Sequence, residues 1–244
     1  MFFGFFWGDW TLIVLLPVMI FTIIAQARVN SAFQRFDRVA TVRRISGAEA
    51  ARRILDKNGL YNVRVERVRG HLTDHYDPRD NVIRLSEATY DSVSVAALGV
   101  AAHEAGHAVQ HATGYTPIRI RSAIIPVTQI GSKLAMPIFF IGFILTSFAY
   151  LDSYSGGLIM ILGISLFSLS AVFQLVTLPV EFNASARALR TLEETEILQG
   201  DEIMGARRVL NAAAMTYVAA LATSLAYILR LLLIASGASG RRRR

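Results

Sequence analysis

The stretch LAMPIFFIGFILTSFAYLDSYSGGLIMILGISLFSLSAVFQLVTLPV, residues 134–180, decides the fold of this 244-residue chain. It contains two apolar runs, 134–151 and 157–180, and each is long enough to cross a bilayer as a helix, which takes about 20 residues. Only the short linker 152–156 separates them. We therefore predict a transmembrane hairpin over 134–180, whose two ends lie on the same side of the membrane.

A further apolar segment lies before the hairpin, and residues 1–27 are predicted to form an N-terminal transmembrane anchor. Arg28, Arg35 and Arg38 follow this segment, whereas no Lys or Arg precedes it. Because basic residues favour the cytoplasmic side, the asymmetry predicts an N-terminus outside the cell and a cytoplasmic chain after the anchor. The alternative is a cleaved signal peptide, since the Ala-Gln-Ala at 25–27 resembles a signal-peptidase site.

Residues 28–133 differ from the apolar segments, because they hold sixteen of the 25 Lys and Arg and ten of the 18 Asp and Glu. We predict that this region is cytoplasmic and carries the functional site. Its expected elements are a helix over 46–58 capped by Ser46, strands over 61–68 and 82–85, and a long helix ending near Thr113. The sequence offers two alternative N-cap residues for the start of that helix, Ser86 and Asp91.

Beyond the hairpin we predict a cytoplasmic segment at 181–211, a fourth apolar helix at 212–235 and a basic tail at 236–244. Arg230 leaves open whether the fourth helix spans, because hydrocarbon disfavours a charge inside an apolar run. Either Arg230 snorkels to the interface, or the helix is half-buried against the others. Four crossings would also place the arginines of the tail outside the cell, against the positive-inside tendency.

Composition narrows the chemistry of any site. The chain is 53% hydrophobic, which excludes a disordered protein, and it contains no cysteine. A disulfide framework, a thiolate metal site and a cysteine nucleophile are therefore excluded, and a metal would be held by His, Asp or Glu. The net charge is +7, but the basic residues are not interleaved with aromatic residues as they are in nucleic-acid-binding folds. We expect the basic residues to face anionic lipid of the bilayer, with no nucleic acid as partner.

The strongest motif is His103-Glu104-Ala105-Gly106-His107, which lies in the predicted long helix. Helical residues four positions apart share a face, so that His103 and His107 can bind one ion. This H-E-x-x-H spacing is typical of zinc peptidases. Zinc lowers the pKa of its bound water to about 7, and Glu104 would take the proton as that water attacks a carbonyl. The alternative is a pair of histidines packed on a helix face.

A catalytic zinc generally has three protein ligands and one open position, so a third ligand is needed. Glu181 is the candidate, because a carboxylate at the end of a membrane span is costly unless it meets an ion, a partner or a cavity. The predicted hairpin returns Glu181 to the side that carries His103 and His107. His111 lies about 80° around the helix from His103 and is a candidate neighbour of the site. The alternative for Glu181 is an interfacial acid at a helix end.

Four segments resemble those of the YugP-like neutral zinc metallopeptidases, which are bacterial membrane proteins. They are HEAGHAVQ at 103–110, LTDHYDP at 72–78 with RLS at 84–86, LPVEFNAS at 178–185 and LNAAAMTYVAA at 210–220. The resemblance covers nearly the whole chain and includes the spacing of the motifs. The layout is also similar to that of the HtpX membrane peptidases, which place a glutamate ligand after a transmembrane hairpin.

The resemblance implies a mainly α, integral membrane, gluzincin-like metallopeptidase with a small β-sheet beside the zinc helix. It implies an endopeptidase with one zinc ion per chain, in the bacterial inner membrane as a multi-pass protein with its site facing the cytoplasm. In the HtpX group the ligand stretch is E-F-x-A-D, and here Ser185 stands in the place of the Asp. Asn183 or Ser185 would then provide the outer contact to a zinc-bound histidine.

The segment at 72–78 lies between the two predicted strands. In related zinc peptidases a strand here pairs with the extended substrate, and a nearby Tyr or His donates to the developing oxyanion. Our hypothesis gives that donor role to His75 or Tyr76. The alternative is a turn held by Asp74 and Asp77, with an exposed histidine.

Two other functions stay open at this point. An intramembrane site-2-type protease would take an Asp ligand from a span, but Asp152 in the hairpin linker is placed on the opposite side. A non-catalytic scaffold or transport component would need polar residues within the spans, for which Gln174 and Arg230 are the main candidates. We therefore predict a membrane-embedded zinc endopeptidase that acts on peptides or membrane proteins.

Overall fold

The computed structural model describes residues 9–148 and 151–240, so that residues 241–244 of the predicted basic tail and residues 1–8 of the predicted anchor lie outside the described part. A short 3-10 helix, Trp10–Val14, opens this part. The other elements, in chain order, are α1 (Leu16–Asp37), α2 (Gly47–Lys57), β1 (Arg64–Val68), β2 (His75–Asp77), β3 (Val82–Ser86), α3 (Glu87–Tyr90), α4 (Val95–Ala112), α5 (Thr116–Ser147), α6 (Ser153–Glu194) and α7 (Asp201–Gly240).

The described chain forms two compact units. The helical unit contains residues 9–24, Arg121–Val176 and 217–240, and the mixed unit contains Ala25–Ile120 and Thr177–Thr216. The long helices α1, α5, α6 and α7 contribute residues to both units. The three strands lie in the mixed unit. The division into membrane and cytoplasmic segments that the sequence indicates stays a prediction.

Four helical segments of the described chain are long and apolar enough to cross a membrane. They are Trp10–Asp37, Thr116–Ser147, Tyr154–Glu194 and Asp201–Gly237, with mean hydropathies between 1.6 and 2.2. A bilayer core of about 30 Å needs about 20 helical residues, so each segment exceeds the required length. The predicted fourth apolar run, 212–235, therefore lies within one uninterrupted helix.

Helices α5 and α6 pack closely within the helical unit. A Cβ atom on Gly163 would lie 2.7 Å from the backbone nitrogen of Phe139, a distance that no side chain tolerates. Phe139, Met160 and Leu231 are fully buried beside this contact. Glycine at 163 therefore allows the two backbones of the hairpin to approach each other.

Arg230 in α7 forms an ion pair with Asp9, also within the helical unit. Its Nη2 lies 2.8 Å from Asp9 Oδ2, and both side chains are largely buried. Arg230 Nε also donates to Thr11 Oγ1 at 3.3 Å. The opposite charge and the hydroxyl offset the cost of a guanidinium in an apolar helix. The charge within the fourth apolar run thus has a specific partner.

The mixed unit contains a three-stranded sheet in the order β1-β3-β2. Strand β3 pairs in parallel with β1 and antiparallel with β2, so β2 lies at an edge of the described sheet. Strands were predicted over 61–68 and 82–85, and the structure confirms both with slightly different bounds. The local residue pattern did not predict strand β2, although the resemblance to zinc peptidases implied a strand at this place. Strand β2 is held beside β3 because Asp74 accepts hydrogen bonds from the backbone nitrogen and hydroxyl of Ser86, at 2.8 and 2.9 Å.

Helix α2 has the cap that was predicted, but helix α4 does not. Ser46 caps α2 and accepts a hydrogen bond from the backbone nitrogen of Glu49. The predicted start of the long helix is wrong, because Ser86 precedes the short helix α3 and Asp91 follows it. Ser94 is the cap of α4, and its Oγ accepts from Ala97 N at 3.1 Å.

Backbone pairing fixes this later start of α4. Thr41 N donates to Val93 O, and Val95 N donates to Val39 O, both at 2.9 Å. These bonds hold the backbone before Val95 in an extended form, which interrupts the helix. The partners are more than 50 positions away in the sequence, so a local capping pattern could not reveal them.

Candidate metal centre

Helix α4 carries His103, Glu104 and His107 in the core of the mixed unit. Alanine is the commonest buried residue of this helix, which lets neighbouring elements approach closely. The two imidazoles lie one turn apart, with ring centroids separated by 4.7 Å and planes at 84°. The helical spacing predicted for the motif is therefore confirmed.

Glu181 in α6 meets both histidines. It is 2% exposed, and its Oε2 lies 3.3 Å from Nε2 of His103 and 3.6 Å from Nε2 of His107. One potential ligand atom from each of the three residues lies within 4.8 Å of the other two. The structure thus brings together the three residues that the sequence indicates as ligands.

The approach of α6 to α4 depends on Gly106. A Cβ atom at this position would lie 2.7 Å from the backbone oxygen of Ala184. Because Gly106 immediately precedes His107 and Ala184 lies one turn after Glu181, the close contact sets the separation between imidazole and carboxylate. One of the two unspecified positions of the H-E-x-x-H motif therefore has a packing role here.

Each imidazole has a second partner on its Nδ1 atom. Ser185 Oγ lies 3.1 Å from Nδ1 of His103, and Gln110 Oε1 lies 3.0 Å from Nδ1 of His107. In both rings Nε2 is therefore the atom turned toward Glu181. Such outer contacts orient metal-binding histidines in general and choose the nitrogen that binds.

Gln110 was missed by the sequence reasoning, although a signal for it exists. It is 0% exposed and stands three residues after His107 in a stretch of small apolar residues. A buried amide is costly unless hydrogen-bonded, so a glutamine on the apolar side of this helix points to a specific partner. Asn183, which was predicted as a possible outer contact, accepts a hydrogen bond from Gln110 at 3.0 Å.

The electrostatic surroundings of His107 favour its charged form. Burial opposes the charged form of His107, but its hydrogen bond to Glu181 and the charges of Glu104 and Glu181 outweigh that effect. The pKa of His107 therefore lies above its usual value. A metal ion that binds here competes with protonation of His107, as is usual for histidine ligands.

Glu104 lies on the same helix but has a different contact. It is 8% exposed, and its Oε2 accepts a hydrogen bond of 2.9 Å from the backbone nitrogen of Tyr76 in β2. The edge strand and the carboxylate of the motif are therefore adjacent. Within the described residues, Glu104 Oε1 makes no hydrogen bond.

The other candidate residues of the site are Tyr76, His75 and His111, and each has different contacts. The phenol of Tyr76 donates to Asn81 Oδ1 at 3.0 Å, and its ring lies 5.5 Å from that of His111. His75 is exposed, and its Nδ1 lies 2.8 Å from the backbone oxygen of Thr73. His111 is thus a neighbour of Tyr76, and the predicted donor role of His75 or Tyr76 stays a prediction.

The chemistry of the donor set fits zinc. Two imidazole nitrogens and one carboxylate oxygen form the usual ligand set of one class of catalytic zinc sites. Magnesium and calcium prefer an all-oxygen shell, which two imidazoles do not provide. The residues that would hold the ion are already close together, and their outer contacts are made.

Comparisons with known proteins agree with this chemistry. The family model described as "Putative neutral zinc metallopeptidase" matches residues 11–236. The chain is also 47% identical over 210 residues to the "Putative membrane protease YugP" of Bacillus subtilis (strain 168), which covers 86% of this chain and 89% of that protein. No solved structure gives a significant match. The chain therefore belongs to the neutral zinc metallopeptidase family.

Proposed function

We propose that this protein is a membrane-embedded zinc endopeptidase that hydrolyses peptide bonds. One zinc ion per chain is held by His103, His107 and Glu181, and Glu104 is the general base. The observation that carries the proposal is the convergence of Glu181 Oε2 on the two imidazoles, at 3.3 and 3.6 Å, beside a nearly buried Glu104. Membership of the zinc metallopeptidase family supports the same reaction class.

His103, His107 and Glu181 would hold a zinc ion, which would lower the pKa of a bound water molecule to about 7 and polarise the substrate carbonyl. Glu104 accepts the proton from the attacking water at its carboxylate and then passes it to the leaving amine. The backbone nitrogen of Tyr76 holds Oε2 of Glu104 at 2.9 Å and so orients the carboxylate for both transfers. Glu104 thus needs no ligand role of its own.

Strand β2 is the proposed docking edge for substrate. It lies at the edge of the described sheet and contacts Glu104 through its backbone. An extended peptide that pairs with this edge would bring its backbone next to the general base. His75 stays our candidate for the donor to the developing oxyanion, since the phenol of Tyr76 already donates to Asn81.

We further propose a multi-pass location in the bacterial inner membrane, with the site on the cytoplasmic face. Four apolar helices support a multi-pass protein, and Arg28, Arg35 and Arg38 after the first apolar segment favour a cytoplasmic mixed unit. Peptides or membrane proteins would be the substrates. A basic surface beside a bilayer suits contact with anionic lipid.

The structure gives Asp152 a role other than that of an intramembrane ligand. Its Oδ2 accepts hydrogen bonds from the backbone nitrogens of Tyr154 and Ser155, at 3.1 and 3.2 Å, and so caps the first turn of α6. Arg230, which would suit a transport pathway, is paired with Asp9. Neither alternative function gains support from these two residues.

The test is the pair Glu104→Gln and Glu87→Gln in detergent-purified protein. Glu87 is exposed at the start of α3 and serves as the matched control. We expect Glu104→Gln to retain its zinc and to lose at least about 100-fold of chelator-sensitive casein cleavage, the lower range for loss of a general base. Full cleavage by Glu104→Gln, or wild-type protein that purifies without zinc, contradicts the proposal.

A further inference from the structure

Gln110 joins the second histidine of the motif to the helix that carries Glu181. Its Oε1 lies 3.0 Å from His107 Nδ1, and its Nε2 donates to Val180 O at 2.8 Å and to Asn183 Oδ1 at 3.0 Å. A glutamine side chain has one oxygen and two N–H groups, so that all of its strong hydrogen-bonding groups are used. The residue is 0% exposed, so its contacts are shielded from bulk solvent.

The orientation of the Gln110 amide follows from its two acceptors on α6. Val180 contributes a backbone oxygen, which can only accept. Asn183 also presents an oxygen, because Arg187 Nε donates to the same Oδ1 at 2.8 Å and a guanidinium can only donate. Both acceptors require the NH₂ group of Gln110, so its oxygen has to face His107.

This orientation determines which nitrogen of His107 carries the proton. Only an N–H can satisfy the amide oxygen, so Nδ1 is protonated in the neutral ring and the lone pair lies on Nε2. Nε2 is the atom that faces Glu181, at 3.6 Å. We propose that Gln110 is a positioning residue that sets the tautomer of His107 before metal binding, with Arg187 reinforcing it through Asn183.

The proposal rests on the proposed zinc site but concerns a different property of it. Ser185 constrains the tautomer of His103 less strongly, because a hydroxyl can both donate and accept a hydrogen bond. The amide of Gln110, by contrast, is held in one orientation by two oxygens. His107 should therefore depend on its outer partner for its tautomer more than His103 does.

The experiment compares Gln110→Met, Arg187→Met and Arg190→Met. Methionine keeps much of the volume and removes the hydrogen bonds. Arg190 is exposed on the same helix and is the matched control. The readouts are the tautomer of His107, from ¹⁵N spectra of histidine-labelled, metal-free protein in which the ring is neutral, and the zinc dissociation constant from chelator competition.

We expect Gln110→Met to lose the Nδ1–H preference of His107 and to weaken zinc binding by about tenfold or more, the usual range for outer contacts. Arg187→Met should have a smaller effect, because Val180 still orients the amide, and Arg190→Met should have none. A folded Gln110→Met protein with the wild-type tautomer and zinc affinity overturns the inference. If Gln110→Met does not fold, Asn183→Leu is used instead, because it removes one of the two acceptors that orient the Gln110 amide. An unchanged tautomer of His107 in both Asn183→Leu and Arg187→Met also overturns the inference.

A merely structural role for Gln110 would lower the melting temperature without altering the tautomer. The conservative variant Asn183→Asp keeps the oxygen between Arg187 and Gln110, so we expect it to retain the tautomer that Asn183→Leu weakens. The wild-type zinc content tests the proposed function separately. A protein that binds no zinc but shows the Nδ1–H tautomer would contradict the zinc site and leave the role of Gln110 supported.

Discussion

The helical unit and the mixed unit each contain two helices that a glycine brings into close contact. In the helical unit, a Cβ on Gly163 would lie 2.7 Å from the backbone nitrogen of Phe139. In the mixed unit, a Cβ on Gly106 would lie 2.7 Å from the backbone oxygen of Ala184. Neither contact therefore leaves room for a side chain.

The side chains around the two contacts are different in kind. Apolar residues such as Phe139 and Met160 surround the first contact, and they gain only packing from it. Around the second lie Glu181, Ser185 and Gln110, each with a polar partner on the opposite helix. The same close approach thus stabilises one unit and positions functional groups in the other. Substitutions in the two units should therefore separate stability from metal binding.

The largest effect on metal binding is expected for Glu181. Replacement by alanine removes the carboxylate that faces both imidazoles, while Glu181→Gln keeps the volume but not the charge. Zinc affinity should fall in both variants by more than the roughly 10–100-fold that loss of an outer contact causes. Metal analysis after dialysis measures this. Wild-type stoichiometry in Glu181→Ala would remove Glu181 from the ligand set.

The corresponding charged pair of the helical unit should affect stability alone. Arg230→Met leaves Asp9 as a buried carboxylate without its cation, which typically costs about 3 kcal/mol. The double variant Asp9→Asn with Arg230→Met removes both charges and should recover most of this loss. Thermal unfolding in detergent measures the stability, and zinc content should stay at the wild-type level. Equal stabilities of the single and double variants would show that the pair contributes little.

Much of the candidate site could be predicted from the sequence, because the relevant constraints are local or follow from topology. The spacing of His103 and His107 needs only a helix, and a hairpin long enough to return the chain makes Glu181 available. The absence of cysteine restricts the ligands further. These arguments do not require knowledge of which side chains face each other across the helices.

The missed features depend on contacts between distant segments. The start of α4 at Val95 is fixed by backbone hydrogen bonds with Val39 and Thr41, and the short strand β2 depends on Asp74 accepting hydrogen bonds from Ser86. The role of Gln110 is apparent only from its hydrogen bonds to groups on α6. No periodicity or motif contains these pairings, so the sequence arguments failed where pairing between separate segments decides the structure.

The two glycines themselves give the next test. Gly106→Ala forces α4 and α6 apart and should reduce both zinc affinity and stability, whereas Gly163→Ala should reduce stability alone. Overpacking a close contact usually costs about 1–3 kcal/mol. Parallel measurements of the melting temperature and the zinc dissociation constant distinguish the cases. Normal zinc affinity in Gly106→Ala would show that the helix separation does not set the ligand geometry.

The smallest effect is expected from removing one hydroxyl in each unit, both on helix α6. Ser185 Oγ contacts Nδ1 of His103 at 3.1 Å, whereas Ser168 Oγ donates to Ile164 O within its own helix at 2.9 Å. Ser185→Ala frees the ring of His103 to rotate, so zinc affinity should fall by about tenfold, at the lower end for outer contacts. Ser168→Ala should leave it unchanged, because its partner is already bonded in the helix. Equal affinities of the two variants would mean that Glu181 and packing suffice to orient His103, and that only His107 depends on its outer partner.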